Sequence, residues 1–122
     1  MNSDHPSFES WLSEIRQSPV APRIGMYLMH DGVVRGSARD GSPVNGMDLS
    51  YDPEALRNAV AAADAAPGIF AARAWVNEGR LAVGDDIMRV LVAGDIREHV
   101  FETLQLLVRA LKTQCVRERE IT

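Results

Sequence analysis

The stretch DIREHVFETLQLLVRALKTQ, residues 95–114, decides the fold because it carries the strongest helical pattern in the chain. Its large apolar residues recur every three or four positions, which places them on one face of a helix; they are Val100, Phe101, Leu104, Leu107, Val108 and Leu111. Asp95 is suited to the N-cap of this helix, which ends near Lys112. The residues that follow, CVRERE, alternate as a final strand or an extended arm would.

Two earlier segments also predict helices. Apolar residues spaced i, i+3, i+4 and i+7 indicate a short helix over residues 7–17, and the two prolines of SPVAPR (18–23) turn the chain into a linker. Asp52 and Pro53 are typical of an N-cap and a first helical residue, so we expect a helix from there to about Ala65.

The strand-like segments lie between these helices. Residues 24–35 are apolar and rich in strand formers, and Asp31-Gly32 within them is either a tight hairpin or a bulge. MDLSY (47–51) alternates as a strand does. Residues 69–94 supply two more strand-like runs around one turn, at Asn77-Glu78-Gly79 or at Val83-Gly84-Asp85.

The predicted order is α, β, β, α, β, β, α, β. It indicates an α+β fold, a two-layer sandwich of mostly antiparallel strands with helices packed on one face. A length of 122 residues fits a single domain. Within it, we expect residues 1–23 to form an N-terminal helix and linker and residues 24–122 to form the core.

Composition excludes several classes of protein. The net charge of -4, a pI near 5.3 and the absence of a basic run argue against a nucleic-acid binder, which needs a basic face. No apolar run reaches the roughly 18 residues of a membrane span, and the first ten residues lack signal-peptide order. We therefore expect a cytoplasmic protein.

Neither the cysteine nor the histidines form a pattern typical of a metal site. Cys115 is the only cysteine, so no intrachain disulfide can form, and a buried apolar role suits it better than that of a nucleophile. His5, His30 and His99 are scattered and lack ligands at metal-binding spacing. We predict neither a metal nor a cofactor.

Lys112 is the first candidate for chemistry. The chain has 13 Lys+Arg residues, and Lys112 is the only lysine among them. A guanidinium stays protonated, whereas an amine that is desolvated or surrounded by cations can lose its proton and act as nucleophile or base. The alternative is a solvated charge favoured by the C-terminal dipole of the helix.

Three arginines are candidate anion ligands. Arg97 lies at the start of the long helix, where free N–H groups favour an anion such as phosphate, although a surface salt bridge would explain it equally well. Arg35 ends a strand and enters a Gly/Ser loop. Arg119 would share one side of a final strand with Arg117.

Three segments together resemble the large, catalytic subunit of molybdopterin synthase. They are GVVRG (32–36), EGRLAVGDDI (78–87) and DIREHVFETLQLLVRALKTQCVREREI (95–121), and the resemblance covers about Ile24 to Ile121. The family has an arginine at a strand end, a Gly-Asp turn, a His-Arg pair that opens a long helix, and a lysine at the end of that helix. Arg35, Arg97 and Lys112 occupy the first, third and fourth of these positions.

The resemblance implies a function. A small ubiquitin-like sulfur-carrier subunit with a C-terminal Gly-Gly would deliver the sulfur of its thiocarboxylate to cyclic pyranopterin monophosphate, in molybdenum cofactor biosynthesis. Lys112 would be catalytic, and Arg35, Arg97 and Arg119 would bind substrate. The family also implies a homodimer, and a heterotetramer with the partner.

Several positions depart from the family pattern, and two of them bear most directly on the chemistry. Ile96 replaces the histidine of the His-Arg pair, and Arg119 replaces a second lysine, which keeps the charge but removes a titratable amine. An alternative function is therefore a catalytically inactive module that binds a ubiquitin-like sulfur-carrier protein. A third possibility is an α+β domain that shares only the architecture.

Overall fold

The computed structural model describes residues 5–122, which form three α-helices and six strands. The helices are α1 (Phe8–Arg16), α2 (Pro53–Asp64) and α3 (Arg97–Ala110). The strands are β1 (Met26–Val33), β2 (Gly46–Tyr51), β3 (Ile69–Val76), β4 (Gly79–Ala82), β5 (Asp86–Gly94) and β6 (Val116–Ile121). A short 3₁₀ turn at Ala21–Arg23 leads into β1, and a π-helical turn at Leu111–Cys115 joins α3 to β6.

The strands form two antiparallel three-stranded sheets. The first has the order β1-β5-β3 and the second β4-β2-β6. The central strand β5 is buried on both faces, and Val90, Leu91, Val92 and Ala93 are all 0% exposed. Full burial of each valine or leucine there stabilises the fold by about 1.5–3 kcal/mol. The α+β prediction with mostly antiparallel strands is confirmed.

Helices cover both faces of the first sheet. Val90 and Val92 face the main core, which includes Val100 and Leu107 of α3, while Leu91 packs on the opposite side with Trp11 and Ile15 of α1. Thus α2 and α3 share one face, as predicted, and α1 lies across the other. Alternation along β5 produces the two cores, because successive side chains of a strand point to opposite faces.

The first two helices begin where the sequence predicted. The Ser7 side chain accepts a hydrogen bond from Ser10 N at 3.0 Å and caps α1. Asp52 caps α2 through bonds from Glu54 N and Ala55 N. A side-chain acceptor at the N-cap satisfies an amide that has no partner within the helix.

The N-cap prediction for α3 is wrong by one residue. Ile96 holds the N-cap position, and no side chain caps it. The carboxylate of Asp95 instead accepts the N–H of Ile96 at 2.6 Å and contacts His99 Nδ1 at 2.7 Å. The amide of Asp95 donates to the carbonyl of Gly68, next to β3, so Asp95 continues the β5–β3 pairing and the helix begins one residue later than predicted.

The prediction of two strands between residues 69 and 94 is also wrong, since three are present. Both proposed turns exist, one on each side of β4. The strand has four residues with only Leu81 buried, so its alternation is too short to detect from sequence. It pairs with β2, from an earlier part of the chain.

Two further expectations have clear outcomes. Asp31-Gly32 does not turn the chain, because β1 continues through it and its register shifts at Gly32/Val33, so the bulge is confirmed over the hairpin. Phe101 shares the apolar pattern of α3 but is 46% exposed. The buried stripe of that helix is narrower than predicted and runs through Val100, Thr103 and Leu107.

Candidate active site

Lys112 lies in the π-helical turn that ends α3. The wide turn buries both Leu111 and Cys115 and leaves the three residues between them exposed. Its far end is fixed to the start of α2, since Asp52 N donates to the Cys115 carbonyl at 2.9 Å and the thiol contacts the Asp52 carbonyl at 3.4 Å. π-Helical turns often occur at functional sites.

The Lys112 amine is half exposed and bound to a carboxylate. Its Nζ lies 3.2 Å from Oε2 of Glu118 on β6, and the Lys112 side chain is 47% exposed. An ammonium has three N–H donors, so two remain for other partners. No local pattern in the sequence indicates this ion pair, because it depends on how the turn folds back on β6.

His30 belongs to the same region, and sequence reasoning missed it. It lies on β1 opposite Val90, on the face that α3 covers. Burial lowers the pKa of its imidazole, and the charge of Lys112 lowers that pKa further. Its Nε2 is buried and has no hydrogen-bond partner among residues 5–122.

Arg119 lies in a second group of charges, on β2, β4 and β6. Asp48 of β2 accepts two hydrogen bonds from Arg80, at 2.8 and 3.0 Å, and a further bond from Arg119. The hydrogen bonds from Arg80, followed by those from Arg119, lower the pKa of Asp48 to about 2. The two guanidiniums are 70% and 75% exposed and keep free donors.

These residues line a groove of about 440 Å³ that also includes Arg117. Arg117 and Arg119 lie two positions apart on β6, so the prediction that they share a side is confirmed. Three guanidiniums outnumber the two carboxylates in the lining, those of Asp48 and Glu118, so the groove keeps a net positive charge that suits an anion.

Lys112 and Arg119 approach β6 from opposite sides. Glu118, the partner of Lys112, is paired with the buried Leu49, and Arg119 is paired with Asp48. Adjacent residues of a strand point to opposite faces of the sheet. Lys112 and Arg119 therefore do not lie on the same face of β6 within this chain.

The other two predicted site residues form no hydrogen bond or ion pair with Lys112 within residues 5–122. Arg97 is exposed at the opposite end of α3, about 22 Å away at about 1.5 Å per residue. Arg35 is exposed just beyond β1. Within residues 5–122 neither arginine forms an ion pair. One copy of the chain therefore does not bring the four predicted residues together.

The amide of Ile96, just before α3, already has an anionic partner. Asp95 holds its carboxylate there, and the hydrogen bond from His99, with the Ile96 amide contributing, keeps the pKa of Asp95 below its usual value. Gly68 makes this contact possible. It has φ +76, and a Cβ at this position would lie 2.2 Å from His99 Nδ1.

Two further features lack the chemistry of an active site. Cys115 is 3% exposed, and burial raises the pKa of its thiol, which agrees with the apolar role predicted for it. A groove of about 410 Å³ between α2 and α3 is lined mainly by alanines and has no charged residue in its wall. We therefore centre the candidate site on Lys112.

The sequence and fold together define a class. The architecture is that of an α+β sandwich, with a single amine at the end of its longest helix. The family model described as "MoaE protein" matches residues 3–114, and the chain belongs to that family. This confirms the resemblance to the molybdopterin synthase large subunit, whose role is catalytic and lies in molybdenum cofactor biosynthesis.

Solved structures share the fold. The molybdopterin biosynthesis MoaE protein from Burkholderia ambifaria is 23% identical, with TM-score 0.73 over 97% of this chain and 84% of its own. Molybdopterin synthase from Staphylococcus aureus is 16% identical, with TM-score 0.76 over 97% and 86% of the two chains. A complex of subunits 1 and 2 of molybdopterin-converting factor from Helicobacter pylori is 13% identical, with TM-score 0.69 over 94% and 78%.

No curated protein sequence matches the chain. None of the helices in residues 5–122 combines the length and apolar character needed to cross a membrane.

Proposed function

We propose that this chain is the sulfur-transferring subunit of a molybdopterin synthase, with all 122 residues acting as one domain. A small ubiquitin-like subunit presents a C-terminal glycine thiocarboxylate, and the acceptor is cyclic pyranopterin monophosphate. A carbon–sulfur bond forms as a carbon–oxygen bond at the same pterin carbon breaks, with the displaced oxygen leaving on the phosphate or as water. Water then cleaves the acyl–sulfur bond and releases the glycine carboxylate, while the sulfur stays on the pterin. Family membership supports this reaction, and the Helicobacter pylori relative, described as a complex of two subunits, supports the small partner.

The observation that carries the proposal is the position of Lys112. The only amine-bearing side chain in the protein is half exposed at the end of α3, where the long helix meets the final strand. Its charge attracts a thiocarboxylate, and its amine can assist attack on the acyl group once it loses a proton. A guanidinium at this position could supply only the first effect.

Arg119 and its neighbours supply cations for the phosphate of the pterin. Arg80 and Asp48 hold the Arg119 guanidinium at the groove while leaving donors free. Fixed, charge-assisted donors of this kind bind phosphate well. Arg97 and Arg35 complete the set of substrate ligands that we propose.

The separation of Arg97 from Lys112 favours a homodimer. The two ends of α3 are about 22 Å apart, too far to contact one small substrate. In a two-fold dimer, the Arg97 end of one copy can face the Lys112 end of the other. We propose that two copies form the complete site, with one small subunit bound to each.

A single-turnover assay tests this function. The purified chain is mixed with thiocarboxylated small subunit from the same genome and with cyclic pyranopterin monophosphate, and the fluorescent oxidation product of molybdopterin is measured. We expect product from the unmodified chain and none from Lys112→Ala, while both bind the small subunit equally.

The second candidate function is a binding module without turnover. Two substitutions favour it, because Ile96 lacks the imidazole of the family and Arg119 is held by Asp48. Small-subunit binding without any product from the unmodified chain would establish this alternative.

A further inference from the structure

The imidazole of His30 is a buried polar group without a partner. Its Nε2 is inaccessible and unbonded within residues 5–122. A buried nitrogen without a hydrogen bond carries a desolvation cost, so such atoms are uncommon and often functional. His30 is therefore the strongest candidate for a role outside the residues already assigned.

The ring of His30 packs beside Gly32. These residues lie two positions apart on β1, on the same face of the sheet. A Cβ at Gly32 would lie 3.5 Å from Nε2 and 3.6 Å from Cγ of Met88, so the ring leans over the glycine, next to the bulge. The imidazole thus occupies the part of the main core that is nearest the end of β1.

One charge dominates the surroundings of His30. Among residues 5–122, Lys112 is the group whose charge acts on the imidazole from the end of α3, and Glu118 of β6 is the partner of Lys112. Asp31 is adjacent in sequence but points to the other face, where it interacts with Asp86 and Arg89. The electrostatics of His30 therefore depend on the Lys112 site.

A neutral acceptor is well suited to this position. The ammonium of Lys112 has three donors, of which Glu118 accepts one and an anionic substrate would accept another. A second carboxylate as the third partner would cancel the positive charge that attracts the substrate. A neutral imidazole nitrogen orients the amine and leaves that charge unchanged.

We propose that His30 is a positioning residue for Lys112, presenting Nε2 as an uncharged hydrogen-bond acceptor for the ammonium when substrate is bound. The effect of His30 on turnover rests on the proposed function. The contact itself is independent of that function. Protonation of His30 removes the acceptor and places a second positive charge beside Lys112, so the site weakens at acid pH.

The first test measures the charge coupling between His30 and Lys112, which the proposed contact requires, without any turnover. The three histidines are titrated by NMR in the full-length protein, and the His30 signal is assigned by its loss in His30→Phe. We expect the His30 pKa to lie below 6.5 and to rise in Lys112→Met. Arg109→Met is the control, because it removes an exposed cation from the last turn of α3 and should leave the His30 titration unchanged.

The second test uses the single-turnover assay. We expect His30→Phe, which keeps an aromatic ring, to lower the rate about tenfold without changing small-subunit binding. His30→Gln supplies a neutral acceptor that does not titrate, so it should recover most of the rate and lose the decline of the wild-type rate at acid pH. Wild-type rate in His30→Phe, or an unchanged acid decline in His30→Gln, would overturn the proposal.

The two tests separate two kinds of failure. If the unmodified chain makes no product, the proposed function fails and the NMR titration alone decides the role of His30. A His30 pKa that is the same with and without Lys112 refutes the contact in either case. Amide spectra of each variant establish that the fold is intact before either test is interpreted.

Discussion

The Nζ of Lys112 lies 3.2 Å from Oε2 of Glu118, so the only lysine of the chain rests against a carboxylate of the final strand. This pair joins the end of α3 to β6 and sets the resting position of the proposed catalytic amine. It also places a negative charge where an anionic substrate has to bind.

Glu118→Gln should tighten binding of the anionic substrate, because it removes that competing charge. Exposed pairs of this kind are worth roughly 0.2–1 kcal/mol, which corresponds to about a 1.4- to fivefold fall in the dissociation constant. Calorimetric titration with cyclic pyranopterin monophosphate measures it. Glu120→Gln is the matched control, since Glu120 is also exposed on β6 and makes no ion pair within residues 5–122. Equal effects of the two substitutions would show that contact with Lys112 is not the cause.

Arg80→Gln should raise the pKa of Asp48 from about 2 toward its ordinary value of 3.8, because the hydrogen bonds from Arg80 are the largest cause of the shift. Arg119→Gln should raise it less. The shift is downward, so the ionised Asp48 stabilises the fold above pH 3.8, and this contribution is lost as pH falls through about 2. Carboxyl NMR at pH 3 measures it: Asp48 should be ionised in the wild type and partly protonated in Arg80→Gln. Full ionisation in both would contradict this assignment.

Gly68→Ala should destabilise the protein more than Gly41→Ala. Both glycines have positive φ, +76 and +88, which costs an alanine about 1–2 kcal/mol. A Cβ at Gly68 would also collide with the side chains of His99 and Asp95, whereas one at Gly41 would meet nothing within 4 Å. The collision should add about 1–3 kcal/mol. Urea denaturation of the two variants compares their free energies of unfolding. Similar losses of stability would show that the Asp95-His99 contact rearranges at little cost.

Cys115→Ala should leave the sulfur-transfer rate within about twofold of wild type, because the thiol is buried and its raised pKa disfavours the reactive thiolate. The native protein should also react slowly with a thiol reagent and rapidly after denaturation. Loss of product in Cys115→Ala, with the fold intact, would mean that sulfur passes through this cysteine.

Local rules predicted much of the fold. The starts of α1 and α2 follow from Ser7 and Asp52, whose side chains bond amides two or three residues away. The missed features depend on partners distant in sequence. Leu81 defines β4 only through its pairing with Met47 of β2, and Asp95 bonds the distant Gly68 carbonyl before the helix begins.

The site was predicted less completely, for the same reason. Lys112 stands out because it is the only lysine, and that can be seen without a structure. The roles of His30, Asp48 and Arg80 depend on which strands pair and on which face each side chain lies, and that information is not local. A polar Asp48 within the strand MDLSY is the one signal that could have suggested the cluster with Arg119.

The most direct test of the account is the single-turnover assay on Lys112→Arg, beside Lys112→Ala and wild type. Arginine keeps the positive charge but does not lose a proton, so it separates attraction of the thiocarboxylate from the chemistry of the amine. We expect Lys112→Arg to bind the small subunit normally and to form product about 10²- to 10⁴-fold more slowly, the usual contribution of a general acid or base. A wild-type rate in Lys112→Arg would show that Lys112 acts by charge alone and would contradict the central role given to its amine.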